Sequence, residues 1–269
     1  MDLNLQSSIH LWILDAEGFD LEVLEPRSLA LLSSAESERY RRYTLPRAKR
    51  QLLLSRTLLH SVLTHYVNDA PLVFRLGDHG RPELASESIA PDSGAGSARG
   101  ALSFNLSHSR DRLVVAVTRA GFVGVDVEYA ARRRRVERLI SRYFSEAEQA
   151  ALLALPVAQR QARFYTLWSL KEAYVKARGL GLALPLADFS FSLSGQDVTE
   201  ERASTSLSFS GSLANESAES WRFWRSPLAG EDYAFGLALQ ACRTKDISLT
   251  VRESCARRGL EGWEEVAGY

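Results

Sequence analysis

Cysteine is scarce in this chain: Cys242 and Cys255 are the two in 269 residues, and they sit outside any metal-ligand spacing. One bridge is a poor framework for a chain this long, which argues against a disulfide-stapled fold and makes a reducing compartment the simpler expectation. Eighteen consecutive apolar residues occur nowhere, which argues against a membrane-spanning helix. The opening MDLNLQSSIH lacks a basic segment followed by an apolar one, so no secretory signal is expected and the cytoplasm is the expected location. Net charge is missing too, with 33 Lys and Arg against 33 Asp and Glu, so no global field draws the chain to nucleic acid or lipid. The patterns GxGxxG, GxxxxGK[ST] and GxSxG are absent. Any phosphate site therefore needs another cradle, and an α/β-hydrolase nucleophile elbow is excluded.

A 45% apolar composition is enough to fill a core in a chain of this size, as one large domain or two modest ones. The charge is unevenly spread. From Arg27 to Arg56 there are seven arginines and Lys49 against Glu36 and Glu38, a net +6, and a second basic run spans Arg132 to Arg135. Such patches suit an anionic small molecule or an acidic partner surface; a merely solvated face is the plain alternative.

Apolar spacing predicts a strand over 9–14, then helices between Glu25 and Val67, with Pro26 early in the first and Pro46 separating two of them. The Ser/Gly/Ala-rich interval 85–100 reads as a loop. Strands are predicted at 102–106, 113–118 and 123–128, then a basic helix around 136–142. Ser145 and Glu148 form a capping-box signature, and a long helix over about 162–177 ends at Gly179 and Gly181. Further strands fall at 189–193, 204–208, 221–224 and 233–239, with the tail from Lys245 expected as an appendage. ALSFNLSHSRDRLVVAVT and WRFWRSPLAGEDYAFGLAL echo each other as strand, polar turn, strand. With two rounds of helices followed by strands, this favours a duplicated α+β unit dividing near 119–122.

In VGVDVE, Asp126 and Glu128 are two apart, so a strand puts both carboxylates on one face. Aligned acids suit a hard cation such as Mg²⁺, which is held by one or two carboxylates plus phosphates and waters; two unrelated acids on an exposed edge are the alternative. In FYTLWSLKEAYVKARG, Trp168, Glu172 and Lys176 recur every four residues on one helix face. Glu172 and Lys176 suit a structural ion pair, or a metal ligand or proton acceptor beside a phosphate-binding cation. His108, between Ser107 and Ser109 after a strand, offers a ring nitrogen to a phosphate oxygen, and no zinc spacing accompanies it. Gly80-Arg81-Pro82, with Arg75 upstream, is a stiffened turn carrying a planar donor fork.

GRP at Gly80 to Pro82, FNLSHS at Phe104 to Ser109, GVDVE at Gly124 to Glu128 and WSLKEAYVKARG at Trp168 to Gly179, in that order, resemble the signature of the 4'-phosphopantetheinyl transferases of the surfactin-synthetase-activating type. The resemblance spans roughly 40–240. It implies transfer of the 4'-phosphopantetheine arm of coenzyme A to a serine of an apo acyl, peptidyl or aryl carrier protein, releasing 3',5'-adenosine bisphosphate. It also implies an α+β intramolecular pseudo-dimer of two similar halves with the active site at their interface. The expected halves are 1–121, carrying coenzyme A contacts, and 122–269, carrying the metal-binding acids and the appendage. By the same resemblance Asp126, Glu128 and Glu172 bind Mg²⁺, Glu172 takes the serine proton, and Lys176 contacts coenzyme A phosphate. Ser107 and His108 lie near the 3'-phosphate and diphosphate, with His108 among the catalytic residues, while Gly80, Arg81 and Pro82 flank the adenine. Arg47 and Arg75 resemble further phosphate-binding arginines. Two positions depart from the pattern: Ala48 stands where an aspartate is usual, and His60 where an arginine is.

The expected partners are coenzyme A and a carrier protein, with no nucleic acid and no membrane, and a monomer is expected. An Mg²⁺-dependent nuclease is the alternative enzyme, since acids on a strand beside a Glu-x-x-x-Lys helix also suit phosphate-ester cleavage. A catalytically inactive carrier-binding protein is the alternative outside enzymes.

Overall fold

The first strand, β1 (Ser8–Asp15), is buried along nearly its whole length, and a strand apolar on both faces needs cover on both. The computed structural model describes residues 5–67, 72–77, 82–85, 101–131, 136–193, 205–225, 229–241, 246–256, 259 and 262–268. After β1 come helices α1 (Leu21–Ser28), α2 (Ser34–Arg42) and α3 (Pro46–Leu63), a ribbon of β2 (Phe74–Leu76) and β3 (Pro82–Leu84), and a hairpin of β4 (Ser103–Ser109) and β5 (Arg112–Thr118). The second round starts with β6 (Gly121–Tyr129) and continues through α4 (Glu137–Tyr143), α5 (Glu146–Leu153) and α6 (Val157–Arg178). A ribbon of β7 (Phe189–Leu193) and β8 (Thr205–Phe209) and a hairpin of β9 (Trp221–Arg225) and β10 (Tyr233–Ala241) follow, then β11 (Ser248–Cys255) and β12 (Glu264–Gly268).

The duplication is explicit in the topology. One sheet has the order β12-β11-β1-β5-β4, and the other β6-β10-β9. In each half the opening strand pairs antiparallel with the second strand of the closing hairpin, and each half carries its own two-stranded ribbon. The fold is thus α+β with two similar modules. They meet through a shared core: Ile9, Leu11 and Ile13 of β1, with Val114, Ala116, Leu249 and Val251, face Val123, Val125 and Val127 of β6 and Phe235, Leu237 and Leu239 of β10. Alternation sends the other residues of each strand to its helices, so Trp12 and Leu14 join α3 in a second cluster and α6 anchors a third.

Where the edges of the two sheets meet, the contact is polar. Ser103, Asn105, Ser107 and Ser109 of β4 accept the backbone N–H groups of Val123, Val125, Val127 and Tyr129 at 3.1, 2.9, 3.3 and 3.0 Å. Side-chain oxygens here take the place of strand carbonyls and leave the edge of β6 satisfied.

Both helical rounds use the same start signal. Ser33 with Glu36 caps α2 and Ser145 with Glu148 caps α5, each as a reciprocal box. In both, the glutamate also pairs with a cation of the long helix: Glu36 with Arg56, and Glu148 with Lys171 at 2.8 Å. Lys171 is fully buried, and its remaining protons go to the carbonyls of Leu186 (2.8 Å) and Phe189 (2.6 Å).

Three expectations need correction. The tail is no appendage of the second half, because β11 pairs in parallel with β1 and buries Leu249 and Val251. Pro26 lies inside α1, which starts earlier than expected, at the Asp20 cap. The long helix starts at Val157, because Pro156 fixes its entry. Among the described residues no helix is long and apolar enough to cross a membrane.

Candidate active site

The site forms where α6 lies on the outer face of β6. Period two sends Val123, Val125 and Val127 into the shared core and leaves Gly124, Asp126 and Glu128 toward α6. A Cβ at Gly124 would stand 2.1 Å from the Ala173 carbonyl oxygen and 2.4 Å from the Ala177 nitrogen; one at Gly236 of β10 would stand 2.5 Å from the Ser169 backbone. Two glycines on the sheet thus face Ser169, Ala173 and Ala177 on the helix, and the backbones approach more closely than any side chain permits. That approach brings Glu172 and Lys176, one turn apart, to the acids of β6.

Lys176 Nζ donates to Asp126 Oδ1 at 2.7 Å, Ser107 Oγ at 2.9 Å and the Val125 carbonyl at 3.1 Å, which occupies all three ammonium protons. Ser107 Oγ in turn donates to Asp126 Oδ1 at 2.9 Å and accepts the Val127 N–H. Asp126 is 5% exposed, so this is a desolvated cluster in which one carboxylate oxygen is gripped from both halves. Its other oxygen, Oδ2, is buried without a hydrogen-bond partner. A buried carboxylate oxygen left in that state carries a free-energy cost that a ligand would remove.

Glu128 lies one rung further, with Ser109 Oγ at 3.5 Å. The pKa of Glu172 is raised, first by burial and then by the charges of Asp126 and Glu128, with Lys176 opposing. Three acids therefore share one neighbourhood. Among the described residues no three His, Cys, Asp or Glu side chains stand where they would hold a metal ion together as they are. The donor set nevertheless fits a hard cation, because Mg²⁺ commonly takes one or two carboxylates and completes its shell with phosphate and water. The unpartnered Asp126 Oδ2 and the mutual repulsion felt by Glu172 are what such an ion relieves.

Two cavities adjoin this cluster and share Pro82, Asn105 and Leu106. The first, about 440 Å³, is lined also by Arg39, Tyr43, Ala48, Gln51, Ser55, Arg56, Phe104 and His108. The second, about 560 Å³, includes Glu172, Lys176, Arg142, Tyr143, Val175 and Leu184. His108 reaches solvent, yet the protein around it removes water from much of the ring, and Lys176 and then Arg47 lower its pKa further. Lys176 reaches Ser107, and the charges of Lys176 and Arg47 both act on His108. Arg75 lies on β2 opposite Glu83 and lines neither cavity. Pro82 opens β3 and lines both; Gly80 and Arg81 lie outside the described residues, as does the run 132–135. Of the two departures, Ala48 lines the first cavity, while His60 lines a separate groove and packs its ring edge-on against Phe74.

Sequence reasoning singled out neither Arg56 nor Asn105. Arg56 pairs with Glu36, and its Nη1 is buried without a partner beside the first cavity. The charge run held Arg56, but nothing local marked it from its neighbours. Asn105 stood in the FNLSHS motif, at the same period-two spacing as Ser107.

Residues 122–238 match the profile described as ACPS, 4'-phosphopantetheinyl transferase superfamily. The 4'-phosphopantetheinyl transferase HetI of Nostoc sp. is 33% identical over 181 residues, covering 66% of this chain and 72% of that protein. The 4'-phosphopantetheinyl transferase Sfp of Bacillus subtilis is 29% identical over 170 residues, covering 62% and 69%. Among solved structures, an ACPS–CoA complex from Chronobacterium ammoniagenes is similar at 18% identity and a TM-score of 0.34, covering 45% of this chain and 98% of that one.

Proposed function

Because this chain belongs to the 4'-phosphopantetheinyl transferase superfamily, we propose that the cluster of Asp126, Glu128, Glu172 and Lys176 is its reaction centre. The enzyme transfers the 4'-phosphopantetheine moiety of coenzyme A to a carrier protein. The observation that carries the assignment of the site is the Lys176–Asp126–Ser107 junction beside Glu172, at the rim of two joined cavities.

Asp126 and Glu128 would hold Mg²⁺, with Glu172 completing the carboxylate set. When bound, the ion neutralises the coenzyme A diphosphate and orients it for displacement by the incoming serine. Glu172 accepts the serine proton, directly or through one water. Burial, then the charge of Asp126, raises its pKa above the ordinary carboxylate value, which is the direction a proton acceptor needs. Lys176 exchanges a protein acceptor for a phosphate oxygen and meets charge accumulating on the leaving group. His108 and Ser107 bind the phosphates with Arg47, and Arg39 and Arg56 supply cations to the first cavity, which takes the nucleotide. Pro82 lines both cavities, and with Gly80 and Arg81 it belongs to the sequence motif assigned to the adenine.

The presence of both modules in one polypeptide supports assignment to the two-domain, surfactin-synthetase-activating type, acting as a monomer. We divide it near residue 121, with β11 and β12 returning to the first half. Arg39, Arg41 and Arg42 of α2 and Arg47 at the start of α3 are exposed, and Arg39 lines the first cavity, a charge distribution suited to an acidic carrier surface. The low cysteine content is in keeping with a cytoplasmic setting.

The test is a panel of apo acyl and peptidyl carriers incubated with coenzyme A and Mg²⁺ and read by intact mass. Gain of the phosphopantetheine mass on a serine is expected, lost on chelation with EDTA and slowed by high salt. Absence of modification on every carrier would overturn the reading.

A further inference from the structure

The four side-chain rungs between β4 and β6 join residues 20 apart in register, from Ser103 to Val123 through Ser109 to Tyr129. β4 and β6 are edges of different sheets, so no backbone ladder sets the register of one half on the other along this line. The side chains do. A one-residue slip would turn the polar rungs of β4 away from the donors of β6.

Asn105 occupies a distinct place among the rungs. Its Oδ1 accepts from Val125 N–H, the residue immediately before Asp126, and the carbonyl of Val125 is one of the three acceptors of Lys176. Because a backbone N–H must meet an oxygen, the amide orientation is fixed by chemistry, with Oδ1 toward β6. Asn105 is 9% exposed and lines both cavities. Ser103, two residues earlier, makes the same kind of bond to Val123 but lines neither cavity.

We propose that Asn105 is a positioning residue: by pinning the Val125 peptide it fixes the Asp126 carboxylate and the Lys176 ammonium in relation to the first half of the molecule. The proposal rests on the reaction centre assigned above. It predicts that Ser103, the rung farthest from the acids, is a support alone, while the asparagine rung acts on the chemistry. The groups that orient metal ligands typically tune metal affinity by about 10–100-fold, and the loss of Asn105 belongs at the lower end of that range.

Three measurements test it. In the ¹⁵N-labelled wild-type chain, the amides of Val123, Val125, Val127 and Tyr129 should be protected from hydrogen exchange, and exchange of Val125 at the rate of an open edge would overturn the proposal without any variant. Calorimetric titration of Mn²⁺ in the presence of 3',5'-adenosine bisphosphate should give an affinity about tenfold weaker in Asn105→Ala than in wild type. Asn105→Ser, which restores the oxygen used at the other rungs, should recover most of it, and Ser103→Ala should match wild type. The kcat for carrier modification should follow the same order, with the KM for coenzyme A changing less. Equal effects in Asn105→Ala and Ser103→Ala, or wild-type metal affinity in Asn105→Ala, would overturn the proposal. A wild-type chain that modifies no carrier would overturn the functional reading instead, while the exchange experiment would still report on the rungs.

Discussion

The two halves share a strand order and differ in what lies between helix and sheet. In the first, the helix-facing residues of β1 include Trp12 and Leu14, and α3 is held off by large side chains in an apolar cluster. In the second, the same face of β6 presents Gly124, Asp126 and Glu128, and α6 lies nearly on the backbone. The open edges differ as well: β1 is covered by β11 through backbone pairing, and β6 by β4 through side chains. One copy of the unit has thus become a packed support, while the other has exchanged bulk for glycine and buried charge. Duplication supplies the frame, and small residues at the helix contact decide which copy brings a helix glutamate and lysine onto strand acids.

The comparison breaks most severely at Asp126. Asp126→Ala should lower carrier modification about a thousandfold or more, since several kcal/mol of charge stabilisation go with the ligand. Intact-mass kinetics alongside a thermal melt would check it, and a folded variant with wild-type Mg²⁺-dependent turnover would refute the ligand role.

The paired capping boxes sharpen the contrast in stability. The carboxylate of Glu148 meets a lysine with 0% side-chain exposure, whereas that of Glu36 meets Arg56 nearer the surface. Breaking the buried pair with Glu148→Gln should cost about 3–5 kcal/mol, against about 1 kcal/mol for Glu36→Gln. Urea unfolding of both variants measures the difference.

Gly124→Ala addresses the close approach itself. The added methyl meets backbone of α6 that has nowhere to retreat, so a loss of about 3 kcal/mol is expected, with turnover falling as Glu172 and Lys176 move outward. A variant equally stable and active would mean that the helix does not depend on that contact.

A smaller effect belongs to the first half. His10 is 3% exposed, and its Nδ1 lies 2.9 Å from Tyr66 Oη, which also accepts the Trp12 indole N–H at 2.8 Å. Tyr66 Oη thus sits between the indole N–H and the imidazole Nδ1. Burial, then Arg252, lowers the His10 pKa from 6.5 to about 4. The unfolded chain binds this proton more readily, so the contribution is complete above pH 6.5 and is lost as pH falls toward 4. It amounts to something on the order of 2–3 kcal/mol. His10→Asn should show a correspondingly smaller drop in urea midpoint between pH 7.5 and pH 4.5 than wild type, and identical drops would remove His10 from the account.

Much of the site was legible because its signals are local. Asp126 and Glu128 needed a strand of period two, and Glu172 and Lys176 a helix. The capping box at Ser145 was read from two residues three apart. The duplication left a plainer trace than the hairpin echo: Leu45-Pro46-Arg47-Ala48-Lys49-Arg50-Gln51 and Leu155-Pro156-Val157-Ala158-Gln159-Arg160-Gln161 share Leu, Pro, Ala, Arg and Gln at matching places, one at the start of each long helix. Lys171 was not legible, since on sequence it is one more cation on a helix and nothing marks its burial against Glu148.

What the sequence determined by itself is the set of elements and the faces on which their acids and cations lie, because periodicity, caps and prolines act over a few residues. The tertiary structure alone decided that β11 crosses back to lie parallel to β1, that the serines and asparagine of β4 meet the edge of β6, and that Asp126 is gripped from both halves. Those contacts join segments far apart in the chain. Their energy comes from burying apolar faces and satisfying edge donors together, which no short stretch encodes.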